Sequence, residues 1–454
     1  VTGSWGDYKR FLELCSADES FIRRFREDEG REASRFGQGF DPSLATEAWE
    51  ILTDPLKEAD RGRNSLVREL DARVQSVHSA IDRRMALELI ANPALREWTR
   101  RQRRRLTFTY RNYRLMPVSA SIAFELSDGC SVQCPFCCFD AQKFNGYLLY
   151  SEENRRLWDD VLRESRRFLG EALSSAVCYM ATEPLDNPDY ELFIRDFNAV
   201  AGCWPQTTTA LAQRDPERMR RLMRLYADEG LKLAGLRFSV VLKSQLDSLY
   251  AAYTPQELEC VELLMNNRES RNSYSGSGRA ARLGRTTRED KVAKETTSAC
   301  VTGYIVNMVR RTVSLVTPEP ACEAYPLGMD VYDTVHFADG VSFGKALEYL
   351  AAKWMGNSLR DDVVLKLNRR ISCSFSDGYV KLVGEGKSRI LSCSHDFQEC
   401  MRLVCAGRYT FAEIKGKMGL APDASAPLRD KLNVLFSFGY LQEHPGESEV
   451  HTCA

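Results

Sequence analysis

Three cysteines fall within one short stretch, Cys130-Ser-Val-Gln-Cys134-Pro-Phe-Cys137. Thiolates are soft ligands, and three so closely spaced can wrap one corner of an iron–sulfur cubane. A [4Fe-4S] cluster needs four ligands, so three thiolates leave one iron open. Zinc is the rival for such a set, but it wants a fourth ligand, usually a second Cys or His pair nearby. The nearest histidines, His78 and His336, are distant in sequence, and Cys138 adjoins Cys137 awkwardly for the same ion. The spacing therefore favours a cluster held by Cys130, Cys134 and Cys137.

An open iron can chelate the amino and carboxylate groups of S-adenosylmethionine. Electron transfer into the sulfonium then cleaves a C–S bond and gives a 5′-deoxyadenosyl radical. In such chemistry the cofactor does the difficult step, while the protein orients it and excludes water.

The motif must be held by something rigid, and the flanking pattern supplies it. From about Val118 to Pro318, short apolar runs alternate with helical ones. Strands are expected at Ser119 to Glu125, Ala176 to Ala181, Gln206 to Ala210, Leu236 to Leu242 and Val261 to Met265. Helices are expected at Glu153 to Phe168, Pro188 to Ala199 and Pro216 to Ala227. Such alternation implies a parallel sheet with helices outside it. Five or six units suit a partial barrel whose ligands sit at the carboxyl ends of the strands. The cysteine motif directly follows the first strand. A Gly/Ser/Arg loop, residues 271 to 285, precedes a hairpin of Tyr304 to Val309 and Thr312 to Val316, turning at Arg310-Arg311.

Outside this region lie two units of different rhythm. Residues 1–115 read as a helical N-terminal region, with Tyr8, Phe11, Leu12, Phe21, Ile22 and Phe25 at helical spacing. Its later part is strongly basic at Arg96, Arg100, Arg101, Arg103, Arg104 and Arg105. No aromatic set interleaves with that run, so it reads as a solvated helix face, or a surface for an acidic peptide, before nucleic acid. After the core region, 116–364, residues 365–454 carry strand-like segments at Ile371 to Phe375, Tyr379 to Val383 and Arg389 to Leu391. Three helical segments follow, His395 to Cys405, Phe411 to Met418 and Ala426 to Phe438. A hairpin plus three helices reads as a small winged-helix-like unit.

These residues carry a resemblance. CxxxCxxC with Phe136 before the last Cys resembles the signature of the radical SAM superfamily. This implies an α/β fold, a partial (β/α)6 barrel, and a [4Fe-4S] cluster with S-adenosyl-L-methionine as cofactors. Phe136 would then lie against the adenine. Met180-Ala181-Thr182-Glu183-Pro184 resembles the superfamily's Gly-Gly-Glu-Pro segment and gives Glu183 the methionine amino group; Ala181 and Thr182 replace the glycines. Thr208, Arg237 and Ser239 match places that bind the ribose and carboxylate, and Asn266 a place that reaches the adenosine.

Longer stretches are similar to the proteusin-type radical SAM epimerases that mature ribosomally made peptides. They are Leu126-Ser-Asp-Gly-Cys-Ser-Val, Thr182-Glu-Pro-Leu-Asp-Asn-Pro, Trp204-Pro-Gln-Thr-Thr-Thr-Ala, Arg237-Phe-Ser-Val and Cys300-Val-Thr-Gly-Tyr. The sequence departs from that pattern at Pro135-Phe136-Cys137-Cys138, where Trp-Phe-Cys-Gly is expected, and at Pro318-Glu319, where a Cys is expected. The similarity implies conversion of L- to D-residues in a precursor peptide, with hydrogen returned by a cysteine thiol. Cys300, Cys322 and Cys373 are the candidates. It also implies that the C-terminal unit binds the leader of the precursor, and that an electron donor such as flavodoxin or ferredoxin serves the cluster. The alternatives are another radical SAM maturase, forming a thioether or C–C crosslink, and a metal-binding winged-helix regulator.

Bulk composition is compatible with this picture. The chain has 454 residues, 44% hydrophobic, with 62 Lys+Arg against 63 Asp+Glu. Balanced charge excludes an acidic tail or a basic nucleic-acid coat as its main character. With no secretory signal and no membrane-spanning run, the 15 cysteines read as reduced thiols and ligands, and a cytoplasmic location with no membrane partner is expected.

Overall fold

The computed structural model describes residues 3–110, 120–227, 235–271, 276–283 and 300–443. The expectations for 111–119, and for residues 272–275 and 284–285 of the Gly/Ser/Arg loop, lie outside the described residues.

The chain opens with helices α1 (Trp5–Ala17), α2 (Phe21–Glu27), α3 (Glu29–Ala33), α4 (Pro42–Thr53), α5 (Ser65–Arg84) and α6 (Pro93–Thr109). Ser4 caps α1 by accepting from the Asp7 amide, and Asp41 caps α4 ahead of a proline suited to a first helical turn. Tyr8, Phe11, Phe21, Phe25, Phe36 and Trp49 form a small core of their own. Tyr8, Phe11, Phe21 and Phe25 in it are aromatics that recur at helical spacing in the sequence.

α6 changes the reading of the arginine run. Arg101 and Arg105 are buried, and each pairs with a distant carboxylate, Glu443 and Glu319 respectively. Arg104 lies over the Phe438 ring, and Arg103 donates to the Met85 carbonyl at 2.7 Å. A solvated face would leave these heads in water. Here the helix is a clamp whose cations are spent on partners within the chain.

The central region is mixed α/β. Strands β1 (Ala120–Glu125), β2 (Ser127–Asp128) and β3 (Gly146–Tyr147) are followed by helices α7 (Glu152–Leu169) and α8 (Tyr190–Ala201). Then come β4 (Thr207–Thr209), α9 (Pro216–Ala227), β5 (Leu236–Val240), α10 (Lys243–Ala252), β6 (Glu262–Met265), the short α11 (Gly278–Arg282), β7 (Val301–Asn307) and β8 (Thr312–Pro318). β4, β5 and β6 pair in parallel, and β1 pairs in parallel with β7. The segment expected as a strand at Ala176 to Ala181 is reduced to Val177, which makes parallel bridges to Ala123 on one side and Gln206 on the other. Those bridges join the two sheets into one line of parallel chain. Further along the segment, the Ala181 amide bonds the Glu125 side chain at 3.1 Å. On β5, Leu236, Phe238 and Val240 are buried against the helices, so Arg237 and Ser239 point to the other, inner face.

The sequence reading had no counterpart for β2, β3 or α10, and α11 forms within the segment expected as a loop; also new are β9 (Met329–His336), which extends the β7–β8 hairpin, and α12 (Gly340–Trp354). α12 lies along α7, close enough that a Cβ on Gly344 would stand 2.5 Å from the Glu164 carboxylate. The C-terminal unit is an antiparallel sheet of β10 (Ser372–Ser376), β11 (Tyr379–Val383) and β12 (Ser388–Ser392), followed by α13 (His395–Ala406), α14 (Phe411–Lys417) and α15 (Pro422–Ser437). It has its own core, and Phe108 of α6 is part of it. No helix among the described residues is long and apolar enough to cross a membrane.

Candidate metal centre

The cysteine loop leaves the carboxyl end of β1 and is braced on all sides. Gly129 adopts φ +76°, and a Cβ there would stand 2.3 Å from the Lys143 carbonyl. Only glycine allows that close approach. Gln133, itself at φ +49°, donates through Nε2 to the carbonyls of Cys130, Ala141 and Gln142 at 2.7, 3.1 and 2.9 Å. Arg279 of α11 reaches the Cys134 carbonyl at 3.1 Å and the Gln133 side chain at 2.9 Å.

Backbone amides face two of the three sulfurs, those of Cys130 and Cys137. The Ala141 amide donates to Cys137 Sγ at 3.5 Å. The Cys134 thiol donates to the Cys137 sulfur, and that bond, with the Ala141 and Phe139 amides and the Arg279 charge, lowers the Cys137 pKa. Burial pushes Cys130 up to about 11, against the pull of the Val132 and Gln133 amides. Amides aimed at sulfur, with an arginine beside them, suit thiolate ligands, which must lose their protons to bind metal. Among the described residues, no group of three or more His, Cys, Asp or Glu is gathered to hold a single ion. A cubane places each thiolate on a different iron and so asks for a wider set than one ion does. The donor type, soft thiolates with amides facing Cys130 and Cys137, is the kind an iron–sulfur cluster takes.

Glu183 is buried beside this loop. Its carboxylate accepts from the Thr209 hydroxyl at 2.5 Å, the Ala210 amide at 2.9 Å and the Leu185 amide at 3.1 Å. Burial raises its pKa to about 7. The Ser131 amide donates to Asp186 at 2.8 Å, tying the turn that carries Glu183 to the cysteine loop.

Thr208 and Arg237 meet on the inner face. Arg237 Nε donates to the Thr208 hydroxyl at 3.0 Å, while Nη2 reaches Tyr179 Oη at 2.7 Å and Gln206 Oε1 at 2.9 Å. Ser239 lies two residues along the same face, and the Asn266 amide closes onto the Val240 carbonyl at 3.0 Å. Phe136 is half-buried within the loop. Sequence reasoning missed Tyr179, Gln206, Thr209 and Glu125. Each is polar, but its partners come from segments distant in the chain, which spacing alone does not reveal.

The three candidate hydrogen donors are not brought together with the loop. Cys300 stands at the amino end of β7, and its carbonyl accepts from the Ala120 amide at 2.7 Å. The loop leaves the other end of β1, so five steps of strand, roughly 17 Å, separate Ala120 from Glu125. Burial raises the Cys300 pKa, and the nearby Arg237 charge opposes the shift. Cys322 is disulfide-bonded, which leaves no S–H in this state. Cys373 lies on β10 against Cys405 of α13.

The fold and site thus define a mixed α/β protein with a braced three-cysteine loop at the end of its first parallel strand. No protein-family model matches the chain, and no solved structure matches it. The uncharacterized protein y4wI of Sinorhizobium fredii (strain NBRC 101917 / NGR234) is 30% identical over 453 residues, covering 96% of this chain and 86% of that protein. The chain belongs to the same family as y4wI.

Proposed function

We propose that this chain is a radical SAM enzyme that epimerises residues in a ribosomally made precursor peptide. The observation that carries the reading is the Cys130–Cys137 loop, with amides facing the Cys130 and Cys137 sulfurs, Arg279 bracing the Cys134 carbonyl and Glu183 buried beside it. The parallel line through β7, β1, Val177, β4, β5 and β6 supports a partial (β/α)6 barrel.

Cys130, Cys134 and Cys137 would hold a [4Fe-4S] cluster. With S-adenosylmethionine bound, that group supplies a 5′-deoxyadenosyl radical able to take hydrogen from a peptide Cα. Glu183 would accept the methionine amino group, and Phe136 would lie against the adenine. Thr208, Arg237, Ser239 and Asn266 offer hydrogen bonds from the inner face to the ribose, carboxylate and base. Helices α7 to α10 close the outer face and keep water from the site. Inversion requires hydrogen returned from the opposite side, a task for a protein thiol.

The C-terminal unit supports leader recognition. β12 is an edge strand with exposed residues at Ser388, Arg389, Ile390 and Ser392, and an extended peptide can add to such an edge. An electron donor such as flavodoxin or ferredoxin would reduce the cluster.

The test has two stages. Anaerobic reconstitution with iron and sulfide should give a protein that cleaves S-adenosylmethionine to 5′-deoxyadenosine, and the Cys130→Ala/Cys134→Ala/Cys137→Ala variant should not. Co-expression with a neighbouring precursor, acid hydrolysis and chiral amino-acid analysis should then reveal D-residues at unchanged peptide mass. A mass loss of hydrogen would mark a crosslinking maturase instead.

A further inference from the structure

Glu125, the last residue of β1, is buried, and both its oxygens are committed. Oε1 accepts from the Ala181 amide at 3.1 Å, and Oε2 accepts from Asn307 Nδ2 at 3.0 Å. Asn307 cannot turn its amide around, because its Oδ1 already accepts from the Val309 and Arg310 amides at 3.1 and 2.8 Å. Glu125 therefore faces two N–H donors whose orientation is fixed by the backbone. A carboxylate has an acceptor for each; an amide side chain has only one. The two donors favour a carboxylate here over an amide, while burial raises its pKa.

The bracket spans three lines of chain at the carboxyl end of the sheet: β1, the segment after Val177, and β7. Its middle point is the Ala181 peptide, two residues before Glu183. Ala181 and Thr182 stand where the superfamily pattern has glycines, so the turn is held here by a side chain from β1.

We propose that Glu125 is a positioning residue that fixes the Ala181 peptide and thereby presents Glu183 to the amino group of S-adenosylmethionine. This inference rests on the reading of the site given above.

The test is a reciprocal exchange in the full-length chain, reconstituted anaerobically. Affinity for S-adenosylmethionine is read by calorimetry, and the thermal midpoint is read alongside it. Glu125→Gln sets its amide against Asn307 and should weaken affinity roughly tenfold, the scale of one buried hydrogen bond lost. Asn307→Asp alone sets two carboxylates together and should also weaken it. The double variant, Glu125→Gln with Asn307→Asp, restores a donor–acceptor match. Its new amide donates to its new carboxylate, which still accepts from the Val309 and Arg310 amides. Its affinity should return to within about threefold of the parent.

A lowered midpoint with unchanged affinity in Glu125→Gln makes the bracket merely structural and overturns the proposal. So does a double variant that folds but binds no better than either single one. A parent protein that holds iron and sulfide yet binds no S-adenosylmethionine overturns the functional reading itself, and the positioning role with it.

Discussion

Arg105 of α6 and Glu319, the residue just past β8, form a buried ion pair between the N-terminal helices and the central sheet. The second Glu319 oxygen faces Arg369 and Arg370 at 3.7 and 3.8 Å, at the entry to the C-terminal unit. One carboxylate therefore ties together all three parts of the chain.

Arg105→Met strips this carboxylate of its closest partner. The expected loss is about 3 kcal/mol, the low end for breaking a buried pair, because the two other arginines remain near. Urea unfolding at neutral pH measures it. Arg105→Met combined with Glu319→Gln should recover most of the loss. A single variant as stable as the parent would show that the pair is not what holds the parts together.

Asp330 gives the same junction a pH dependence. Burial, with Glu319 close by, raises its pKa from 3.8 to about 6. The folded chain then binds this proton more tightly than the unfolded chain. The contribution to stability is present below the unfolded value and is lost as pH rises through 6. Unfolding midpoints followed from pH 4 to 8 should carry this downward component, and Asp330→Asn should remove it. An unchanged slope in the variant would assign the effect to another group.

The cysteine loop depends on Gly129. In Gly129→Ala the new Cβ meets the Lys143 carbonyl at a φ that disfavours a side chain, costing on the order of 1 kcal/mol or more in loop closure. Iron and sulfide retained after reconstitution should fall well below the parent. Ser131→Ala is the control, since Ser131 engages Asp186 through its backbone amide, and it should retain the parent's content.

Cys405 should be the most reactive thiol of the C-terminal unit. It is exposed, and its pKa is lowered by a hydrogen bond from Cys373 and by the Arg402 charge. Burial pushes Cys400 up to about 12. Limiting iodoacetamide followed by peptide mapping should find Cys405 modified before Cys373 and Cys400, and Arg402→Ala should slow it. Earlier labelling at Cys400 would contradict this order.

The placement of Cys300 bears on the hydrogen donor. At the amino end of β7 it is remote from the carboxyl end of β1. In deuterium oxide the Cys300→Ala variant should therefore still form D-residues, each with one solvent deuterium at Cα. Intact cofactor cleavage with loss of D-residues would instead make Cys300 the donor. Parallel Cys322→Ala and Cys373→Ala reactions test the other two candidates.

What the sequence determined by itself was local. Cysteine spacing marked the loop, period-two and period-three-to-four apolar patterns marked most strands and helices, and Tyr379–Val383 was read to the residue. These signals survive in one dimension because each depends on near neighbours in the chain. The tertiary structure decided what depends on distant ones. The arginine run of α6 looked solvated until its partners, Glu319 and Glu443, arrived from the far end of the chain. The segment expected as a strand kept only the Val177 bridges, and its Ala181 amide went to Glu125 from β1. Parallel pairing of β7 with β1 set Cys300 at the end of β1 opposite the loop, within reach of the Arg237 charge. Register, burial and ion pairing are set by which segments meet, and a parallel sheet brings together segments that lie far apart in the chain.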